Sequence, residues 1–145
     1  MPALFDQPTM HLFALCATIL VLKMAMTGYA TAVARNVKGV FISPEDYAFR
    51  GKEAQPPDEQ VERIRRAHHN DLEAVLPFLT IGFLFALRQA ASYEVARWLF
   101  VTFTVARIGH TVVYAAGLQP WRSILFAIAD VAMLAMTVLL LVSLL

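Results

Sequence analysis

Four long stretches of mostly apolar residues constrain this chain more than any other feature of its sequence. They cover residues 9–34, 72–91, 95–118 and 121–145, which is most of the 145 residues. A helix needs about 20 such residues to cross the hydrocarbon core of a bilayer, and in lipid its backbone must satisfy its own hydrogen bonds. The stretches therefore predict four transmembrane helices. The composition agrees, since 59% of the residues are hydrophobic and only 16% are charged.

Turn-forming residues between these stretches predict where the helices begin and end. The expected helices lie at about 9–36, 58–90, 94–117 and 120–144. Residues 37–57 include several prolines and glycines, so this segment is expected to be the one long irregular link. The other links are short, which places consecutive helices antiparallel. The predicted fold is all-α: a single integral-membrane domain over residues 1–145, folded as a four-helix bundle with up-down-up-down topology.

Basic residues are unevenly distributed between the two ends of the predicted bundle. The first link and the helix ends beside it contain Arg35, Lys38, Arg50, Lys52, Arg63, Arg65 and Arg66. The opposite end has only Arg88 and Arg97. By the positive-inside rule, the first link faces the cytoplasm and both termini lie on the other side. No Lys or Arg precedes Lys23, so a cleaved signal peptide is the less favoured interpretation of the first stretch.

The second predicted helix begins with a dense polar cluster, in the sequence QVERIRRAHHNDLEAVLPF (60–78). At about 100° per residue, one side of this helix has Glu62, Arg66, His69, Asn70 and Glu73. His68 and Asp71 face elsewhere. A solvated helix end with i,i+4 pairs explains the first charges. It does not explain Glu73, because ionisable residues beside an apolar run usually face the bundle interior or a polar cavity.

The third predicted helix has Arg107, His110 and Tyr114 within about 60° of one another, in an otherwise largely apolar segment. A single histidine here would most often be structural, but the three residues together favour a ligand site. A metal site is not expected, because the histidines lack a recognisable ligand spacing and HHND differs from HExxH. The single cysteine, Cys16, excludes a disulfide, and the net charge of +1 gives no indication of nucleic-acid binding.

Arg122 begins the fourth predicted helix, directly after the sequence LQPW. Its guanidinium is charged at any accessible pH, and the N-terminus of a helix adds partial positive charge. Together they would favour an anion, or a thiol that has to ionise. An interfacial arginine beside a membrane-belt Trp121 explains the same position equally well. From the position alone, both interpretations stay open.

The sequences VERIRRAHHNDLEAVLPF, FISPEDYAFRGK, ARIGHTVVY and QPWRS, in this order, resemble the membrane-associated eicosanoid and glutathione metabolism (MAPEG) family. The resemblance covers nearly the whole chain. It points to the branch of the microsomal glutathione transferases, to which the microsomal prostaglandin E synthases are a sister branch. It implies a homotrimer of four-helix subunits, with glutathione bound between neighbouring subunits near the cytoplasmic side.

The resemblance also implies the residues of the site. Those that would bind glutathione are Arg35, Arg66, His69, Asn70, Glu73, Arg107, His110, Tyr114 and Phe126. Arg122 would stabilise the glutathione thiolate, with the Ser123 hydroxyl beside it, and Asp46 would act with that arginine in the synthase branch. Two positions depart from the synthase pattern, because His69 and Phe126 stand where the synthase has an arginine and a tyrosine.

The predicted function is that of a membrane-bound glutathione transferase. It would use glutathione as cosubstrate, without a metal, and conjugate the thiolate to lipophilic electrophiles in the bilayer or reduce lipid hydroperoxides. One alternative is a glutathione-dependent isomerase of the prostaglandin-endoperoxide type. Another is a non-enzymatic membrane scaffold, whose polar residues would bind lipid headgroups or pack a trimer.

Two charged residues inside the apolar stretches are not explained by such a site. Lys23 lies in the first stretch and Asp130 in the fourth, at similar expected depths. A single charge in the middle of a membrane costs about 2.5–3.5 kcal/mol on insertion scales. We therefore expect Lys23 and Asp130 to form a structural ion pair between the first and fourth predicted helices.

Overall fold

The computed structural model describes residues 7–145, so residues 1–6 of the predicted domain lie outside the described residues. Its helices are α1 (Pro8–Lys38), α2 (Pro44–Phe49), α3 (Glu59–Arg88), α4 (Tyr93–Ala115) and α5 (Trp121–Leu144). The four long helices, α1, α3, α4 and α5, are each long and apolar enough to cross a membrane. No strand occurs over the described range. The predicted all-α, four-helix membrane bundle is confirmed.

Contacts at one end of the bundle establish its topology. Arg88, the last residue of α3, donates from Nη2 to the carbonyl oxygen of Ser143 near the end of α5, at 2.9 Å. Gln89 donates from Nε2 to Oε1 of Gln7, which precedes α1, at 2.9 Å. The end of α3, the end of α5 and the start of α1 therefore lie together, as an up-down-up-down bundle requires.

A short helix, α2, lies within the segment that was expected to be wholly irregular. Pro44 is at its start, where a fixed φ suits the first turn and a backbone N–H is not needed. Glu45 and Asp46 in the first turn favour the positive helix end. Tyr47 is buried, and its hydroxyl accepts a hydrogen bond from the backbone N–H of Phe41 at 2.8 Å. This contact holds α2 against Phe41, in the part of the link that directly follows α1.

Phenylalanine side chains form the centre of the bundle, between α1, α3 and α4. Phe78 and Phe103 stack with centroids 4.4 Å apart, and Phe100 meets Phe78 edge-on at 5.9 Å. Phe13 of α1 packs so closely on Gly82 of α3 that a Cβ there would lie 2.8 Å from the Phe13 ring. Glycine at this position therefore allows two helices to approach each other, as small residues do in membrane bundles.

The bundle also contains a buried ion cluster, formed by Lys23 of α1, Asp71 of α3, and Arg107 and Thr111 of α4. Lys23 Nζ donates to Asp71 Oδ1 at 2.6 Å and to the Thr111 hydroxyl at 2.9 Å. Arg107 Nη2 donates to the same Asp71 oxygen at 2.9 Å. The side chains of Asp71 and Arg107 are fully buried, and that of Lys23 is 14% exposed. One carboxylate therefore joins three of the four membrane helices.

The predicted ion pair between Lys23 and Asp130 is wrong. Lys23 pairs with Asp71 instead, whereas Asp130 is exposed on α5 and has no ion-pair partner within residues 7–145. Sequence analysis placed Asp71 away from the face that has Glu62 and Glu73, but it assigned no partner to this carboxylate. At about 100° per residue, Asp71 lies about 180° from Glu62, on the same face as the buried Phe78.

We predict that Asp71→Asn strongly destabilises the protein, because it leaves two buried cations without their counter-charge. Removing one partner of a buried ion pair typically costs about 3–5 kcal/mol. The matched control is Asp130→Asn, which removes an exposed carboxylate with no ion-pair partner within residues 7–145, so we expect no loss in the free energy of unfolding. Unfolding of both variants in detergent, followed by circular dichroism, measures the difference. Equal losses for the two variants would contradict the assignment of Lys23 to Asp71.

Asp58 caps the start of α3 and is sensitive to pH. Its carboxylate accepts from Lys38 Nζ at 2.8 Å and from the backbone N–H groups of Gln60 and Val61 at 3.0 Å. The hydrogen bond from Lys38 is the main cause that lowers the pKa of Asp58, and the bond from Val61 N–H comes next. Since the folded pKa is below the unfolded one, the cap stabilises the fold fully above about pH 4 and less as acid titrates it.

We predict that Lys38→Met moves the titration midpoint of the Asp58 carboxyl upwards, towards the ordinary aspartate value, because it removes the main favourable contact. Lys52→Met, which removes a nearby exposed lysine, is the control and leaves the midpoint in place. Carbon NMR of the labelled Asp58 carboxyl, titrated against pH in detergent, measures the midpoint in both variants. An unchanged midpoint in Lys38→Met would show that Lys38 does not lower the pKa.

Candidate functional site

A polar cleft of about 290 Å³ opens at the end of the bundle that contains the α4–α5 link. Its lining residues are Asn70, His110, Tyr114, Arg122, Ser123 and Phe126. They come from α3, α4 and α5, and all six were among the predicted site residues. The structure therefore brings together residues that are up to 56 positions apart in the sequence, from position 70 to position 126.

The tight link between α4 and α5 positions Arg122 over the cleft. Gly117 in this link has φ +72°, and a Cβ there would collide with Arg63 Nη1. The backbone N–H of Leu118 donates to Val113 O at 2.9 Å, which closes the end of α4. The chain then turns back, and Arg122, the second residue of α5, lies beside Tyr114 in the last turn of α4. Glycine adopts this φ at low cost, so Gly117 permits the tight turn between the two helices.

Aromatic rings form one wall of the cleft. Tyr114 packs edge-on to His110, with ring centroids 5.5 Å apart, and Phe126 lies 6.0 Å from His110. The Arg122 guanidinium lies over the Tyr114 ring, with Cζ 4.8 Å from the centroid. A cation over an aromatic face is attracted by the ring quadrupole, so Tyr114 helps to orient Arg122.

Arg107 forms the floor behind the cleft and is fully buried. Its Nη2 donates to the backbone oxygen of Asn70 at 3.0 Å and to Asn70 Oδ1 at 2.9 Å. The Asn70 side-chain oxygen is thereby occupied, and its amide N–H groups are the part that can meet a ligand. A direct contact between Arg107 and glutathione stays a prediction. Within the chain, Arg107 connects the ion cluster to Asn70.

Comparison of the sequence with known proteins identifies the family of this chain. A sequence model of the MAPEG family matches residues 13–142. The chain belongs to the MAPEG family. The human protein named prostaglandin E synthase is 38% identical over 136 residues, covering 90% of this chain and 88% of that protein. The mouse protein named microsomal glutathione S-transferase 1 is 42% identical over 129 residues, covering 85% and 83%. Its pig counterpart is 43% identical over 120 residues, covering 79% and 77%.

Three further residues predicted for the MAPEG site lie on the exposed outer face of α3. They are Arg66, His69 and Glu73. His69 Nε2 lies 3.5 Å from Glu73 Oε1, one helical turn away, and both side chains are mostly exposed. Arg66 and His69 line a separate cleft with Leu72. These residues therefore do not face the cleft that contains Arg122 in the same subunit.

The two remaining predicted residues also lie apart from the cleft. Arg35, near the end of α1, lines a pocket of about 240 Å³ with Glu62 and Arg65. Asp46 is exposed on α2. In this chain, the predicted residues other than the buried Arg107 thus occupy three places: the Arg122 cleft, the outer face of α3 and the region around the first link. Over residues 7–145, no group of three or more His, Cys, Asp or Glu side chains could bind a metal ion.

Sequence reasoning missed three residues that shape the cleft. Asp71 accepts a hydrogen bond from Arg107, Thr111 donates to Asp71, and Gln119 in the link contacts Arg122. A signal for Asp71 was present, because a carboxylate on the apolar face of a membrane helix requires a buried cation. No comparable signal existed for Gln119, since a polar residue in a link is most often solvated.

Proposed function

We propose that this protein is an integral-membrane glutathione transferase that binds glutathione in the cleft around Arg122. The observation on which the proposal mainly rests is the charge of that cleft. Arg122 lines it and Arg107 lies directly behind it, while none of the described lining residues is a carboxylate. Such a cleft attracts an anion, and glutathione brings two carboxylates and an ionisable thiol. The names of the similar mouse and pig proteins support the same choice.

The chemistry that the cleft can supply is ionisation of the thiol. A free thiol has a pKa near 8.5, so only a few per cent is thiolate at pH 7. A guanidinium within a few ångströms stabilises the thiolate and lowers that pKa. We assign this role to Arg122, with the Ser123 hydroxyl as a second hydrogen-bond donor. The thiol proton leaves to water, and the thiolate sulfur forms a bond to the electrophilic atom of the second substrate. In a substitution, such as that of a chlorinated nitrobenzene, the carbon–chlorine bond breaks and chloride leaves; in an addition, a π bond breaks and the product takes up a proton from water.

The membrane supplies that second substrate. Below the cleft, α5 exposes a row of apolar side chains, including Ile128, Val131 and Leu134. A lipophilic electrophile dissolved in the bilayer can approach along this surface, and the thiolate at the membrane boundary meets it without a collision in water. Reduction of lipid hydroperoxides would use the same thiolate: the oxygen–oxygen bond breaks, the lipid alcohol leaves, and the glutathione sulfur becomes a sulfenic acid. A second glutathione then reduces the sulfenic acid, which gives glutathione disulfide and water.

A glutathione-dependent isomerase is the second candidate, favoured by the similarity to the human protein named prostaglandin E synthase. One feature speaks for the transferase, because Phe126 has no hydroxyl to place beside the thiol. If the isomerase were correct, Asp46→Asn would abolish turnover while thiolate formation persisted.

We further propose that the complete site forms between subunits of a homotrimer, with the cleft near the cytoplasmic side and both termini opposite. The distribution of residues supports this. Arg66, His69 and Glu73 are exposed on α3, where they are available to the cleft of a neighbouring copy. A carboxylate and an arginine just inside a membrane boundary need partners, and a second subunit can provide them.

We predict that Arg122→Ala still folds and assembles but loses most conjugation of glutathione to a chlorinated nitrobenzene. Removing one donor that stabilises developing negative charge costs about 10²–10³ in kcat. The control is Arg97→Ala, an exposed arginine paired with Glu94 at the other end of the bundle, and it should retain full activity. Steady-state rates and the ultraviolet absorbance of the bound thiolate measure both variants. Full thiolate formation in Arg122→Ala would exclude Arg122 from this role.

Site sharing predicts that two inactive variants restore each other. Chains with Arg122→Ala lack a cleft residue, and chains with Glu73→Ala lack an outer-face residue. In mixed trimers, some interfaces would join an intact Arg122 from one chain to an intact Glu73 from its neighbour. Random assembly of equal amounts of the two chains gives about a quarter of such interfaces. We expect conjugation to reappear on co-expression and native mass spectrometry to show trimers. A site within one subunit predicts no recovery, because every chain would contain one defect.

A further inference from the structure

Gln119 lies in the α4–α5 link, three residues before Arg122. The Gln119 amide is assigned with its oxygen towards Arg122, because the opposite orientation would place its N–H groups against the N–H groups of the guanidinium. In this orientation the oxygen accepts from Arg122 Nε at 3.0 Å and from Nη2 at 2.7 Å. Its amide nitrogen then donates to the Ser123 hydroxyl at 3.3 Å. A single side chain therefore contacts both of the residues that we place beside the thiol.

Gln119 occupies only one edge of the guanidinium. Arginine has five N–H donors, of which the amide oxygen uses one on Nε and one on Nη2. The edge formed by Nη1 and Nη2 is left for a ligand. Tyr114 lies against one face of the same group, with Cζ 4.8 Å from its ring centroid. The amide and the ring together fix both the direction and the plane of the guanidinium.

An amide at this position differs from a carboxylate in its effect on charge. A bidentate carboxylate would orient Arg122 equally well, but it would also neutralise the guanidinium. The amide is a neutral acceptor, so Arg122 keeps its charge for an anionic ligand. Orientation without neutralisation is what a group that stabilises a thiolate requires.

The backbone on both sides of Gln119 is held in place. Leu118 N–H donates to Val113 O at 2.9 Å, and Arg122 N–H donates to Leu118 O at 3.3 Å. Pro120 follows directly and restricts the backbone further. The side chain therefore extends from a defined position, and less conformational entropy is lost when it binds Arg122.

We infer that Gln119 is a positioning residue that orients Arg122 and Ser123 towards the glutathione thiol while leaving the charge of Arg122 intact. This inference rests on the proposed function in so far as it concerns thiolate formation. The contact between Gln119 and Arg122 does not depend on it. In the step that it assists, the thiol loses its proton to water and the sulfur retains the electron pair.

Two substitutions separate orientation from charge. Gln119→Glu puts a carboxylate on Arg122 and should raise the apparent pKa of bound glutathione by about one unit, a loss of up to about tenfold in thiolate at pH 7. Gln119→Leu removes the acceptor without adding charge and should shift the pH midpoint less. The thiolate absorbance of detergent-solubilised protein with glutathione, titrated against pH, gives these midpoints. Gln89→Glu, the same exchange at the opposite end of the bundle, should leave the midpoint unchanged.

A second measurement needs no glutathione. In nitrogen-labelled apoprotein, the Arg122 Nε–H should give a separate NMR signal with slow hydrogen exchange, lost in Gln119→Leu and kept in Gln89→Glu. The positioning role is overturned if the Nε–H signal is the same in the wild type, Gln119→Leu and Gln89→Glu. It is also overturned if neither Gln119 variant moves the pH midpoint of thiolate formation. If the wild type forms no thiolate with glutathione but the Nε–H signal depends on Gln119, the contact stands and the proposed function fails.

Discussion

The carboxylate of Asp71, bound by cations from two other helices, is the interaction on which the rest of this structure depends. A charge alone in the middle of a membrane costs about 2.5–3.5 kcal/mol, so Lys23, Asp71 and Arg107 each require the others. Their pairing at 2.6 and 2.9 Å fixes the rotation and depth of α1, α3 and α4 relative to one another. Apolar packing alone would specify the rotation and depth of the helices less strictly, because lipid tails can make the same apolar contacts.

The same cluster supports the cleft. Arg107 uses one nitrogen, Nη2, for both Asp71 and Asn70, so the group that joins the helices also orients an amide in the cleft lining. The packing of the helices and the orientation of a residue in the cleft lining therefore depend on the same buried side chain. Glutathione transferase activity, as we propose it, would depend on a residue that need not touch the ligand.

The cleft lies at the end of the bundle because Arg122 is in the first turn of α5, after a link that Gly117 turns and Gln119 connects to the arginine. In the function that we propose, this fixed positive charge would meet a water-soluble anion from one side and an apolar molecule from the other. The exposed charges on α3 and near the first link do not face this cleft within the chain. This division of residues is the structural reason for proposing a shared site.

The four membrane helices, the all-α class, the MAPEG resemblance and the residues that line the Arg122 cleft could all be predicted from the sequence. They follow from apolar length, helical period and motif, which are local properties of the chain. The pairing of Lys23 with Asp71 rather than Asp130, and the contact between Gln119 and Arg122, appear only in the folded bundle. The physical reason is that ion pairing in a bundle depends on how each helix is rotated against its neighbours, and side-chain direction in a link depends on its folded backbone. Neither is set by spacing along the chain.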